Sequence, residues 1–161
     1  AFRLANDLGI SRTEAAGFIE NYDRLYSDIT KFKAETILKA EDSGYVETIF
    51  GRRRYINGIK SANKVEKAAA ERIAINTPVQ GSAADIVKKA MCDVDKALRN
   101  AKNGARLLLQ VHDELICECP ENPKAIDETV CIIKEMMENA VKLSVPLKVS
   151  IESGKNWGEF H

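Results

Sequence analysis

The sequence is short of the patterns that mark several familiar chemistries. It has no G-x-x-x-x-G-K-[ST] phosphate loop, no G-x-G-x-x-G turn, no G-x-S-x-G elbow and no H-E-x-x-H helix. Histidine occurs only twice, at His112 and His161, and His112 adjoins Asp113, a poor geometry for a Ser-His-Asp triad. No apolar run approaches the roughly 18 residues of a membrane span, so no membrane partner is expected. Residues 1–10 lack the basic, apolar and small-residue blocks of a secretory signal. They also lack an initial Met, which suggests a processed or excised piece. The four cysteines, Cys92, Cys117, Cys119 and Cys131, form no C-x-x-C pair and have no His at zinc-site spacing. They read as reduced core thiols of a cytosolic protein.

What remains is a soluble globular mixture: 161 residues, 45% hydrophobic and 30% charged. That length fits a single domain, at roughly 100–200 residues per domain. Lys plus Arg number 24 and Asp plus Glu number 24, which excludes a protein-wide basic field but not a local one. The balance hides an asymmetry. Residues 51–72 hold seven basic side chains against two acidic ones, and residues 111–138 hold eight acidic against two basic. Two solvated faces would explain this. So would a protein that holds a polyanion in one place and metal ions in another.

Periodicity predicts a helix over 11–24, opened by Ser11 with Glu14 three residues later, with Ala15, Phe18, Ile19 and Tyr22 inward. A second helix fits 27–40, with Ile29, Phe32 and Ile37 inward. Residues 45–49 and 52–56 read as a hairpin, followed by an Asn57-Gly58 turn. A helix over 62–76 carries Val65, Ala69 and Ile73 inward. Thr77-Pro78 then resets the chain into a new helix to about residue 99, with Val79, Ala83, Ile86, Val87, Ala90, Met91, Val94 and Leu98 inward. Residues 106–111 and 115–119 form a second hairpin around Asp113-Glu114. A helix over 123–143 and a strand over 147–151 complete an α+β order, with helices on one face of an antiparallel sheet.

Three constellations carry chemistry. Asp113 and Glu114 follow an apolar strand at the end of a stiff ribbon. Strict alternation puts Leu107, Leu109 and Val111 on one face and Gln110 and His112 on the other. Carboxylates held this way are hard-cation ligands, and Mg²⁺ takes only one or two of them beside substrate phosphates; an ordinary acidic turn is the plain alternative. Arg72, Asn76 and Gln80 recur every four residues. Such donors suit the minor-groove acceptors common to nearly all base pairs, although Pro78 is expected to interrupt their helix; capping and salt bridging would also explain them. Arg52, Arg53 and Arg54 suit phosphate oxygens, but three in a row on a strand cannot share one face, so one or two should pair with local acids.

The segments Gly44-Tyr-Val-Glu-Thr-x-x-Gly-Arg-Arg-Arg54, Ala70-Glu-Arg-x-Ala-x-Asn-x-Pro-x-Gln-Gly-x-Ala-Ala-Asp85 and Leu108-Leu-Gln-Val-His-Asp-Glu114 together resemble family A DNA polymerases of the bacterial DNA polymerase I type. The resemblance covers essentially the whole chain, including Trp157 near its end. It implies one partial domain spanning 1–161, with fingers-side helices and a hairpin over about 1–60 and a palm-type antiparallel sheet with helices over about 61–161. It implies template-directed addition of deoxynucleotides to a primer 3′-hydroxyl, with two Mg²⁺ ions, in replication and repair in a bacterial cytoplasm. Primer-template DNA and deoxynucleoside triphosphates are the partners implied.

Under the resemblance, Asp113 is the metal ligand and Glu114 supports the metal site and the primer end. His112 contacts the primer terminus, and Gln110, Gln80, Asn76, Arg72 and Arg54 contact DNA. The family's Asp-Tyr-Ser-type strand, which supplies the other metal-binding aspartate, has no counterpart here. Nor does its nucleotide-binding helix. Asp23 and Ser27 stand where an aromatic residue and a proline are usual. The chain alone is therefore expected not to polymerise and to self-associate through exposed core surface. The alternative is a non-enzymatic DNA-binding or structural module. A carboxylate metal nuclease would need more converging acids than the sequence offers.

Overall fold

The computed structural model describes residues 1–159, so His161 lies outside the described residues. Its helices are α1 (Phe2–Leu8), α2 (Arg12–Leu25), α3 (Ser27–Ser43), α4 (Lys64–Ala101) and α5 (Pro123–Glu138). Its strands are β1 (Tyr45–Glu47), β2 (Arg53–Tyr55), β3 (Arg106–Val111) and β4 (Glu114–Glu118), and a 3₁₀ turn spans Trp157–Glu159. The strands form two separate antiparallel hairpins, β1–β2 and β3–β4, which with the helices make an α+β architecture. The chain divides into two compact units, Ala1–Val79 and Gln80–His161.

In the first unit, α2 begins as its sequence dictates. The Ser11 hydroxyl accepts from the Glu14 N–H at 3.2 Å, and the Glu14 carboxylate accepts from the Ser11 N–H at 2.9 Å. The Ser11 hydroxyl and N–H together hold the Glu14 carboxyl below its ordinary range. Helix α3 stops at Gly44, whose φ of 80° is the left-handed conformation that terminates helices. The core joins Ala40 of α3, Val46 of β1, Ile56, Ile59, and Ala70 and Ala74 of α4. The turn after β2 needs its glycine. Gly58 has φ of 81°, and a Cβ there would lie 2.9 Å from Glu66 Cγ. Glu66 in turn accepts from the Ser61 hydroxyl at 2.6 Å.

In the second unit, Ala90, Val94 and Leu98 of α4 are buried, as their spacing predicts. Asn103 fixes the passage from α4 towards β3. Its side-chain Oδ1 accepts from the Ala105 N–H at 3.0 Å, and its side-chain Nδ2 donates to Thr129 Oγ1 of α5 at 3.2 Å. Asn122 caps α5 by accepting from the Lys124 N–H at 2.9 Å.

Several expectations need correction. Helix α4 does not restart at Thr77-Pro78; it runs unbroken with Pro78 inside it. Thr77 is not a cap: its hydroxyl donates to the Ile73 carbonyl at 2.7 Å, a bond made from within a helix. Burial of Ala70 and Ala74 on one side of Pro78 and of Ala90, Val94 and Leu98 on the other outweighs the local break. Phe18, Ile19, Tyr22, Ile29, Phe32, Val65, Ile73, Val79 and Ala83 are exposed, not inward. Helical spacing defines a stripe, but of the stripe on α2, which packs along α1 and α3, Ala15 alone is buried. Helix α5 ends at Glu138, where the Asn139 side chain donates to the Glu135 carbonyl at 2.8 Å.

Residues 147–151 form no strand. The Val149 N–H donates to Glu138 Oε1 at 3.2 Å, where a strand would have a ladder partner. The cysteines are free thiols but not core: Cys92 and Cys131 are exposed, and Cys117 and Cys119 half-buried. Burial pushes the Cys117 thiol up to about 11.

Candidate functional site

The β3–β4 hairpin gathers four of the sequence-predicted site residues. Val111 pairs with Glu114, so the turn consists of His112 and Asp113 alone, and Glu114 opens β4 instead of sharing the tip. The register slips between Leu107 and Leu109, which leaves Leu108 as an extra residue on β3. Leu107 is therefore out of step with Leu109 and Val111. A run of three leucines carries no alternation that could have marked the slip.

The tip has two notable properties. His112 adopts φ of 52°, one of only two non-glycine residues among the described residues with positive φ. For a side chain with a Cβ this conformation costs about 1–2 kcal/mol. Its carbonyl accepts a 2.8 Å bond from Gln110 Nε2, two residues back in β3. Asp113 and Glu114 are both exposed, and neither side chain has an ion pair or hydrogen bond among the described residues. Their oxygens are available to a ligand. Farther down the ribbon the charges are used internally, as Arg106 meets Glu118 at 3.0 Å.

Two adjacent, unengaged carboxylates are the donor type that a hard cation such as Mg²⁺ takes. No group of three or more His, Cys, Asp or Glu residues capable of holding a metal occurs among the described residues. The pair thus fits one wall of a metal site and not a whole one.

The remaining candidates lie on β2 and α4. Because α4 is continuous, Arg72, Asn76 and Gln80 occupy successive turns of one helix, and all three are exposed. Arg72 has no ion pair among the described residues. Within the arginine triplet, Arg53 is drawn into the hairpin itself. It meets Glu47 at 3.0 Å, lies 4.5 Å over the Tyr45 ring, and leaves Glu47 also bound to Lys39 at 3.1 Å. Arg53 foremost, and then Lys39, hold the Glu47 carboxyl below its usual range. Arg54 points to the other side of the strand, and its Nη1 donates to Thr77 Oγ1 at 3.3 Å. Thr77 was not among the sequence candidates. The only signal it offered was its place before Pro78, which suggests a helix cap. Arg54, Arg72 and Asn76 belong to the first compact unit; Gln80, Gln110, His112, Asp113 and Glu114 belong to the second.

The comparisons with known proteins concern the chain as a whole. The family model for DNA polymerase family A matches residues 1–159. DNA polymerase I of Borreliella burgdorferi is 49% identical over 99% of this chain and 17% of its own length. DNA polymerase I of Treponema pallidum is 47% identical over 100% of this chain and 16% of its own. The chain thus spans about one sixth of the curated relatives it matches. Among solved structures, the POL domain of Pol1 from M. smegmatis, in complex with DNA primer-template and dNTP, aligns with a TM-score of 0.85 and 43% identity. That alignment covers 91% of this chain and 26% of the other. With the family's pattern followed from the first residue to the last but two, the chain belongs to DNA polymerase family A.

Proposed function

We propose that the protein containing this chain is a DNA-directed DNA polymerase that adds deoxynucleotides to a primer 3′-hydroxyl, releasing pyrophosphate, in bacterial DNA replication and repair. In this reading residues 1–60 belong to the fingers side and residues 61–161 to the palm. The observation that carries the chemistry is the pair Asp113–Glu114, exposed at the end of a two-stranded ribbon with no internal partner.

Asp113 is the residue that holds catalytic Mg²⁺, and Glu114 supports the same site. The chemistry that two such ions supply is activation of the attacking oxygen and stabilisation of the leaving one. His112, beside the acids, contacts the primer terminus, and Gln110 lies on the same strand. Asn76 and Gln80 donate to minor-groove acceptors near the primer end, where almost every base pair presents one. Arg72, on the same helix, contacts DNA beside them, and Arg54, steadied by Thr77, contacts the sugar-phosphate backbone. The neighbouring polymerase domain of M. smegmatis, described with primer-template and dNTP, supports DNA and nucleotide as partners. No helix among the described residues is long and apolar enough to cross a membrane.

The chain by itself does not polymerise, because a second aspartate is needed to hold the pair of ions and its own carboxylates make only one wall. In isolation it is a DNA-binding module that self-associates through apolar side chains such as Phe18, Leu25 and Val79, which are 60%, 75% and 62% exposed. Primer extension by the whole polymerase tests the catalytic assignment. Asp113→Asn lowers the rate about 100-fold or more, equivalent to about 3 kcal/mol of transition-state stabilisation. Extension at the wild-type rate would refute the assignment. Templated synthesis by the 161-residue chain alone would refute its incompleteness.

A further inference from the structure

The strained residue at the hairpin tip and the side chain that touches it point to a role for Gln110 different from contact with DNA. In a two-residue turn the carbonyl of the first turn residue has no place in the strand ladder. Here that residue is His112, at φ of 52°, and its carbonyl is bonded at 2.8 Å by the amide of Gln110. Residues i and i+2 of a strand lie on the same face, so the glutamine reaches past Val111 along its own strand without crossing the ribbon. A carbonyl can only accept, which fixes the donor as the amide nitrogen of Gln110.

The bond exists only while His112 keeps its turn conformation. That conformation also sets the directions of the next two residues, Asp113 and Glu114. We infer that Gln110 is a positioning residue: its amide holds the His112 turn in the positive-φ form and thereby fixes the direction in which the two carboxylates leave the ribbon. This rests on the reading of Asp113 and Glu114 as the metal-binding residues. It adds that the arrangement is maintained by a side chain that need not touch metal, nucleotide or DNA.

The test is a double-mutant cycle in the whole polymerase with Gln110→Met and His112→Gly. Methionine keeps the length of the side chain and removes the donor. Glycine adopts positive φ without strain, so the turn no longer depends on the clamp. Three quantities are read: amide hydrogen exchange over residues 107–118, the Mg²⁺ concentration for half-maximal primer extension, and the Kd for primer-template. Gln110→Met raises turn exchange and half-saturating Mg²⁺ by about threefold each, and leaves Kd within about twofold. Once His112→Gly is present, adding Gln110→Met changes exchange and half-saturating Mg²⁺ by less than about twofold.

Equal effects of Gln110→Met in both backgrounds would overturn the clamp. So would a loss confined to Kd, which would make Gln110 a direct DNA contact. Asp113→Asn separates the two claims. Unchanged Mg²⁺ dependence in that variant overturns the metal reading and the consequence drawn from it, while the exchange measurement alone decides whether Gln110 holds the turn.

Discussion

The two hairpins of this chain use charge in opposite ways. In β1–β2 the charged side chains find partners within the fold. Glu47 is shared by Arg53 and Lys39, Arg53 also lies over Tyr45, and Arg54 is bonded to Thr77. The loop is closed by the Thr48 hydroxyl, which accepts from the N–H groups of Phe50 and Arg52 at 3.3 and 3.2 Å. In β3–β4 a non-glycine residue takes the strained turn position, and the two acids beside it have no partner among the described residues. The first hairpin has the character of structural support. The second keeps unneutralised charge and a strained turn, the pattern expected where a ligand completes the arrangement.

The same chemical change should therefore have opposite consequences in the two hairpins. Asp113→Asn removes about 100-fold or more of the primer-extension rate in the whole polymerase and leaves thermal stability intact. Glu47→Gln leaves extension within about twofold. A reversal of these outcomes would mean that the pattern of partnered and unpartnered charge does not report function.

A second test compares the turns. Gly58→Ala forces a side chain into φ of 81° against Glu66 and should cost about 1–2 kcal/mol in chemical denaturation. Wild-type stability in that variant would show that the turn after β2 relaxes freely.

A third concerns Arg54, whose partner is the Thr77 hydroxyl and not an acid. Arg54→Ala should weaken primer-template binding several-fold and lower the slope of log Kd against log salt by about one. Asn76→Ala and Gln80→Ala should impair extension from the primer end more than overall binding. Identical salt slopes for wild type and Arg54→Ala would remove the phosphate contact from the account.

The smallest effect is a pH dependence. The Glu47 carboxyl is depressed by Arg53 and Lys39, so it is ionised in the folded chain at pH values where the unfolded chain has begun to protonate it. Its contribution is complete above the ordinary value of 4.5 and is lost as pH falls through the depressed folded value. Wild type should therefore lose its small stability advantage over Glu47→Gln on acidification below that point. A difference between the two that does not change with pH would contradict the sign.

The parts of the fold legible in the sequence are those specified by a few neighbouring residues. Ser11 and Glu14 announce the start of α2, Asn57-Gly58 the turn after β2, and Asn122-Pro123 the start of α5. Features set by distant packing were not legible. The rule that Pro78 starts a helix is sound locally, yet burial on both sides of it carries α4 through. Residues 147–151 have strand composition, but a strand also needs a ladder partner, and the Val149 N–H has a carboxylate instead.

The site divides in the same way. Asp113 and Glu114 stood out as adjacent acids after an apolar strand. The bond from Gln110 to a backbone carbonyl and the service of Thr77 to Arg54 depend on turn geometry and helix continuity, which no residue pattern displays.

The central claim is that the unpartnered acids Asp113, in the β3–β4 turn, and Glu114, at the start of β4, bind the catalytic divalent ion. Mn²⁺ binding to the whole polymerase with primer-template, followed by electron paramagnetic resonance, addresses it without relying on turnover. Wild type should hold Mn²⁺ at a site that Asp113→Asn weakens by about tenfold or more, while Glu47→Gln binds as wild type does. Indistinguishable Mn²⁺ titrations for wild type and Asp113→Asn would contradict the account.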